Sequence, residues 1–285
     1  MMNSSIPFNP SDTACFGVAG NFTGHLEQAG EASDFTNIKT NEVNAPKALF
    51  PTFIPNAKGA VPSFLGLFPF DSEKIIFPEN EENIQIESEC AVLFNAEWKE
   101  GKIVSLTPLS FCASNDVSIR KAGAKKISIK KNWGKSTKGL SANFIALDSF
   151  SKGGVLDNYR IASYMVREGK VFEYGENSPV SGYSYMYEKL VDWIIEKLNY
   201  QTDQGPAENV NLYLNEAGFP KNILVSIGAT RYTEFGEHNF LKKGDKSVVV
   251  LYPENKYSPA QIEEFVKNNA FEDKDISALV QEVIL

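Results

Sequence analysis

The chain has 285 residues, 42% of them apolar and 22% charged, which suits one large globular domain or two modest ones. Its formal net charge is −8, which argues against broad affinity for nucleic acid or membrane surfaces. No apolar run reaches the roughly 18 residues of a membrane helix. The opening stretch MMNSSIPFNPSDTACFG lacks the basic and apolar pattern of a signal peptide. The three cysteines, Cys15, Cys90 and Cys112, have no metal-finger spacing, so a reduced cytoplasmic protein is expected.

Residues 1–75 are rich in Gly, Pro, Asn and Phe, and read as short strands and loops around one short helix at Thr23–Ala29, stopped by Gly30. Residues 76–285 carry the stronger patterns, and the two parts are either separate units or one continuous domain. IQIESECAVLF, residues 84–94, alternates with period two and reads as a strand. Lys102–Ile119 reads as further strand with a turn at Ser114–Asn115–Asp116, and SANFIALDSF as another strand. Arg160–Glu173 suggests a hairpin turning at Glu168–Gly169. Tyr183–Gln201 is the clearest helix, with Met186, Leu190, Ile194 and Leu198 on one stripe and Val191 and Ile195 widening it. NILVSIGA and SVVVLY read as buried strands. Ser258, Pro259 and Gln261 mark a helix start with a capping box, and a last helix is expected at Ile276–Val283. Strands and helices do not alternate, which favours a mixed, mainly antiparallel α+β fold.

On the 84–94 strand, Glu87 and Glu89 share a face, roughly 7 Å apart along the chain. Asp116 follows in SNDVSIR. If the three carboxylates converge, they form an all-oxygen site suited to Mg²⁺, Mn²⁺ or Ca²⁺, whereas Glu-x-Glu alone is common on solvated strands. Residues 120–138, RKAGAKKISIKKNWGKSTK, hold eight bases and no acid. This run reads either as a solvated loop face or as a focused site for an anionic ligand. Gly134–Lys135–Ser136–Thr137 is not a phosphate loop, because Ile129 stands where the leading glycine is needed.

Several stretches together resemble the fumarylacetoacetate hydrolase superfamily. GNFTGH is similar to its GxNYxxH opening, IESECAVLF to its ExELAVV strand, SNDVSIRK to its NDxSxRD segment, MVREGKVFEYGE to its VNGE hairpin, and NFLKKGD to its FLKPGD. They occur in family order. The resemblance implies a fumarylacetoacetase C-terminal-like β-sandwich roll, mainly antiparallel, usually as a homodimer. It implies an enzyme, a hydrolase or lyase, that acts on a small anionic 2-oxo or enolisable carboxylate by C–C hydrolysis, decarboxylation or isomerisation. Glu87, Glu89 and Asp116 match the ligands of a divalent cation, Mg²⁺ first, that stabilises an enolate. His25 matches a lid-borne base. Arg120, Thr230 and a lysine, Lys135, would meet the substrate. A non-catalytic protein that binds a metal or an anionic ligand on the same fold is the alternative.

The chain departs from that pattern in four places. Gln28 replaces the glutamate of HxxE, leaving Glu27 or Glu31 to orient the histidine. FxKP reads here as Phe53-Ile54-Pro55-Asn56, without the lysine. Gly123 replaces the glutamine after the NDxSxRD segment, and Ala229 enters the TGTP turn.

Overall fold

The computed structural model describes residues 7–36, 38, 40, 42–121 and 123–285. Its first sheet runs in the order Ala48–Phe53, Thr13–Ala19, Asn222–Ser226, Ser88–Lys99, Lys102–Asn115, Lys138–Leu140 and Phe70–Asp71, with Ile145–Ala146 also paired to Lys102–Asn115. The second runs Lys170–Pro179, Tyr159–Arg167, Lys246–Pro253, Ser277–Ile284 and Lys74–Ile76. A third, two-stranded piece pairs Ile84–Gln85 with Ser118–Ile119. Most pairs are antiparallel. The parallel ones join Thr13–Ala19 to Asn222–Ser226, Ser277–Ile284 to Lys74–Ile76, and Phe70–Asp71 to Lys138–Leu140. The fold is thus a mixed α+β one, and the N-terminal strands Thr13–Ala19 and Ala48–Phe53 belong to the same sheet as the central hairpin.

The two large sheets face each other across one core. Val92, Phe94 and Phe111 of the first meet Ile161, Met165, Val249, Leu251 and Leu279 of the second. The Tyr187–Tyr200 helix lays Leu190, Ile194 and Leu198 into the same core, as its four-residue repeat requires. Each such burial stabilises the fold by about 1.5–3 kcal/mol. On the outer face of the second sheet, Ala162, Tyr164, Val248 and Val250 are covered by Ile262 and Val266 of the Pro259–Asn268 helix. That helix starts on the expected Ser258–Gln261 capping box. The Tyr159–Arg167 and Lys170–Pro179 hairpin turns at Glu168 and Gly169, both at positive φ (52° and 75°), the backbone of a two-residue turn that matches strand twist.

Four expectations need correction. The last segment is a strand, Ser277–Ile284, not a helix. Its buried residues, Ser277, Leu279, Gln281 and Val283, alternate, and pairing with Lys246–Pro253 satisfies its backbone. Ser114–Asn115 continues a strand rather than turning. SANFIALDSF keeps only a two-residue pairing at Ile145–Ala146. The 84–94 strand is interrupted at residues 86–87, opposite an interruption of the partner strand at residues 116–117. Those facing breaks build the site.

Candidate functional site

Glu87 and Asp116 lie in the two breaks, and the backbone N–H of Asp116 donates to the Glu87 carbonyl at 2.9 Å. Glu89 follows at the start of the Ser88–Lys99 strand. One carboxylate oxygen from each of Glu87, Glu89 and Asp116 lies within 4.8 Å of the others, and all three residues are buried. Buried acids need partners, and the basic run provides them. Lys131 Nζ lies 2.5 Å from Glu87 Oε2 and 2.8 Å from Asp116 Oδ2. Lys138 pairs with the other Asp116 oxygen. Arg120 Nη2 lies 2.7 Å from Glu87 Oε1, and the Ser118 hydroxyl donates to that oxygen at 2.6 Å. Glu31 accepts from Arg120 at 2.8 Å and from Lys130 at 2.7 Å. The basic run is therefore divided between a solvated part and a buried part. Half of its eight bases, Arg120, Lys130, Lys131 and Lys138, are counter-ions to this acidic cluster.

Glu89 is different. No lysine or arginine reaches ion-pair distance of it among the described residues. It accepts one backbone hydrogen bond, from Gly228 at 2.8 Å. Burial, then the neighbouring Asp116 and Glu87, push its carboxyl well above the usual carboxylate range. Burial acts the same way on Glu87, but Lys131 and Arg120 overcome it and hold that carboxyl well below the range. Gly228 has φ of 121°, a conformation open to glycine and costly for other residues, so the turn that aims its N–H at Glu89 depends on glycine.

His25 opens a short helix, His25–Gln28. Asn21 fixes the segment before it, donating to the carbonyls of Tyr185 and Ile227 and accepting from Tyr185 N–H. His25 Nδ1 is 2.8 Å from the Thr230 carbonyl. A carbonyl only accepts, so Nδ1 carries the hydrogen and Nε2 the lone pair. Burial lowers the pKa of His25, which keeps the ring neutral at pH 7. A cavity of about 20 Å³ is lined by His25, Glu31, Glu87, Glu89, Lys131 and Ala229, among others, which is room for a single water. A groove of about 500 Å³ elsewhere is lined by Arg167, His238 and Lys242 and contains none of these acids.

The structure brings His25, Glu87, Glu89, Asp116 and Arg120 together. Thr230 lies beside them, but its hydroxyl is bound to Ser88 at 2.9 Å and its carbonyl holds His25. Arg120 is fully engaged, by Gln85, Glu31, Glu87 and the Tyr232 hydroxyl. Two expected site residues are elsewhere. Lys135 is exposed, because the turn after Trp133 points it to solvent, and the site holds Lys131 and Lys138 instead. Glu27 is exposed on the far side of its helix. Gln28 takes over the fastening of the helix, donating to the Tyr232 carbonyl at 3.1 Å and accepting from Tyr232 N–H at 2.9 Å. A glutamate could not make that two-way clasp. Sequence reasoning had no period or motif to single out Lys131, Lys138 or Tyr232. The excess of bases in an acidic chain was the one available signal.

The donor set suits a hard divalent cation, being three carboxylates with all-oxygen ligands. Among the described residues, Asp116 Oδ2 receives no aligned hydrogen bond and Glu89 has no counter-ion, so the triad could hold such an ion. The Lys131 ammonium stands between two of its oxygens.

The fold is shared with solved enzymes. A 2-keto-3-deoxyarabinonate dehydratase matches with a TM-score of 0.58 at 16% identity, over 98% of this chain and 75% of that one. A structure of 2-keto-3-deoxy-D-arabinonate dehydratase complexed with magnesium and 2,5-dioxopentanoate matches with a TM-score of 0.55 at 16% identity, over 98% and 74%. A 5-carboxymethyl-2-hydroxymuconate delta-isomerase from Mycobacterium smegmatis matches with a TM-score of 0.51 at 14% identity, over 95% and 78%. No curated protein matches in sequence. Residues 31–283 match the profile described as "Family of unknown function (DUF5718)". The chain belongs to that family.

Proposed function

We propose that the protein is a metal-dependent enzyme acting on a small 2-oxo or enolisable carboxylate. The observation that carries this reading is the convergence of a carboxylate oxygen from each of Glu87, Glu89 and Asp116, beside a cavity that Glu87, Glu89 and a neutral His25 line. Glu87, Glu89 and Asp116 would hold the divalent cation, magnesium by analogy with the dehydratase complex. A cation bound there supplies an electrophile for the oxygens of a 2-oxo carboxylate. His25 Nε2 takes a proton from the substrate carbon or from water, while the Thr230 carbonyl keeps the ring in the required tautomer. Arg120 holds Glu31, Glu87 and Tyr232 in place and so orients the acids rather than the substrate. Substrate enters when the His25 segment swings away, because the closed cavity takes only one water. C–C hydrolysis, decarboxylation and isomerisation all fit this arrangement.

A ligand-binding protein without turnover is the second reading, and the small cavity and well-paired acids favour it. A panel of 2-oxo carboxylates followed by ultraviolet absorbance with added Mg²⁺ separates the two. Turnover lost with a chelator and in Glu89→Gln supports the enzyme. Turnover indifferent to both removes the metal-dependent reading, and no turnover across the panel favours the binding protein.

A further inference from the structure

We propose that the Lys131 ammonium is the resident cation of the carboxylate triad, and that it and a divalent ion exclude each other at the same oxygens. The inference rests on the reading that the triad is a cation site. Lys131 Nζ lies 2.5 Å from Glu87 Oε2 and 2.8 Å from Asp116 Oδ2, and its side chain is only 3% exposed. Glu87 and Asp116 both belong to the convergent carboxylate set. A divalent ion binds carboxylate oxygens at about 2.0–2.6 Å, so an ion shared by these two acids would stand where the ammonium stands. Two cations on the same pair of oxygens in a buried site repel strongly.

The arrangement is built rather than incidental. The Asn132 side-chain amide donates to the carbonyls of Thr52 at 2.9 Å and Leu67 at 3.1 Å. The Trp133 indole donates to the Ile76 carbonyl at 3.0 Å. These anchors hold the backbone beside Lys131, so a change of occupant is made by the side chain alone. The ammonium also does not complete the site. Asp116 Oδ2 is in ion-pair range but receives no aligned hydrogen bond, and Glu89 keeps no cation partner among the described residues. A lysine carrying one charge serves two acids, where a divalent ion would serve three.

The test is Mn²⁺ binding to the full-length wild type, to Lys131→Met and to Lys131→Gln, without substrate. Bound ion is counted by electron paramagnetic resonance, and folding is followed by circular dichroism. Removing one partner of a buried ion pair leaves an uncompensated charge, so the variants should bind one ion per chain at least about tenfold more tightly than the wild type. Adding Glu89→Gln to either variant should abolish the gain. Equal or weaker binding by folded variants would overturn the proposal and leave the metal-dependent reading standing. Binding by the variants but not the wild type would sustain the proposal and remove that reading. Folded variants that bind no Mn²⁺ would overturn the proposal. So would failure of both variants to fold even when Mn²⁺ is supplied, since the lysine would then be an irreplaceable structural counter-ion.

Discussion

Asp116 N–H donates to the Glu87 carbonyl at 2.9 Å across two facing strand interruptions. This one bond joins the breaks that turn both carboxylates toward Glu89. On an unbroken ladder, Asp116 would be one more residue of a strand.

Glu87→Gln is expected to destabilise the fold by about 3–5 kcal/mol, because Lys131 and Arg120 lose the negative charge they are buried against. Urea unfolding at neutral pH measures it. A change below about 1 kcal/mol would mean that the cluster is hydrated and worth no more than a surface pair.

Gln28→Glu, which completes the HxxE pattern, is expected to cost about 1–3 kcal/mol, not to stabilise. The clasp needs an amide that donates to the Tyr232 carbonyl and accepts from its N–H, and a carboxylate would face that carbonyl without a hydrogen. Urea unfolding compares the two chains. Equal stability would show that the clasp contributes little.

The acids of this site were legible in sequence, but their cations were not. Glu87, Glu89 and Asp116 stood out through local spacing and an ordered set of stretches. Lys131 and Lys138 reach those acids only through the tertiary fold, and nothing local in ISIKKNWGKSTK distinguishes them from the exposed Lys135. The amphipathic Tyr187–Tyr200 helix announced itself through a sustained four-residue repeat. SALVQEVI was too short and too apolar to separate a period of two from one of 3.6, and pairing with Lys246–Pro253 decided for strand.

Glu208 gives a pH signature away from the acidic triad. Burial raises its carboxyl to about 7, and its Oε2 receives no aligned hydrogen bond among the described residues. The folded value lies above the ordinary 4.5, so the folded state favours the protonated form. Its contribution to stability is full below about pH 4.5 and is lost as pH rises through about 7. Glu208→Gln should match the wild type near pH 4 and exceed it at pH 8 by about 3 kcal/mol. Thermal unfolding at both pH values checks this. A pH-independent difference would contradict it.

The central claim is that Glu87, Glu89 and Asp116 hold a divalent cation presented to a 2-oxo carboxylate. The most direct measurement is thermal unfolding of the wild type and Glu89→Gln with Mg²⁺, with oxalate, and with both. Oxalate is a stable analogue of a 2-oxo enolate. Near saturation, a ligand present at a hundredfold over its Kd stabilises by about 2.7 kcal/mol, a rise of several degrees for a chain of this size. The expected result is a rise that needs both ligands and is lost in Glu89→Gln. No rise in any condition, or an equal rise in the variant, would contradict it.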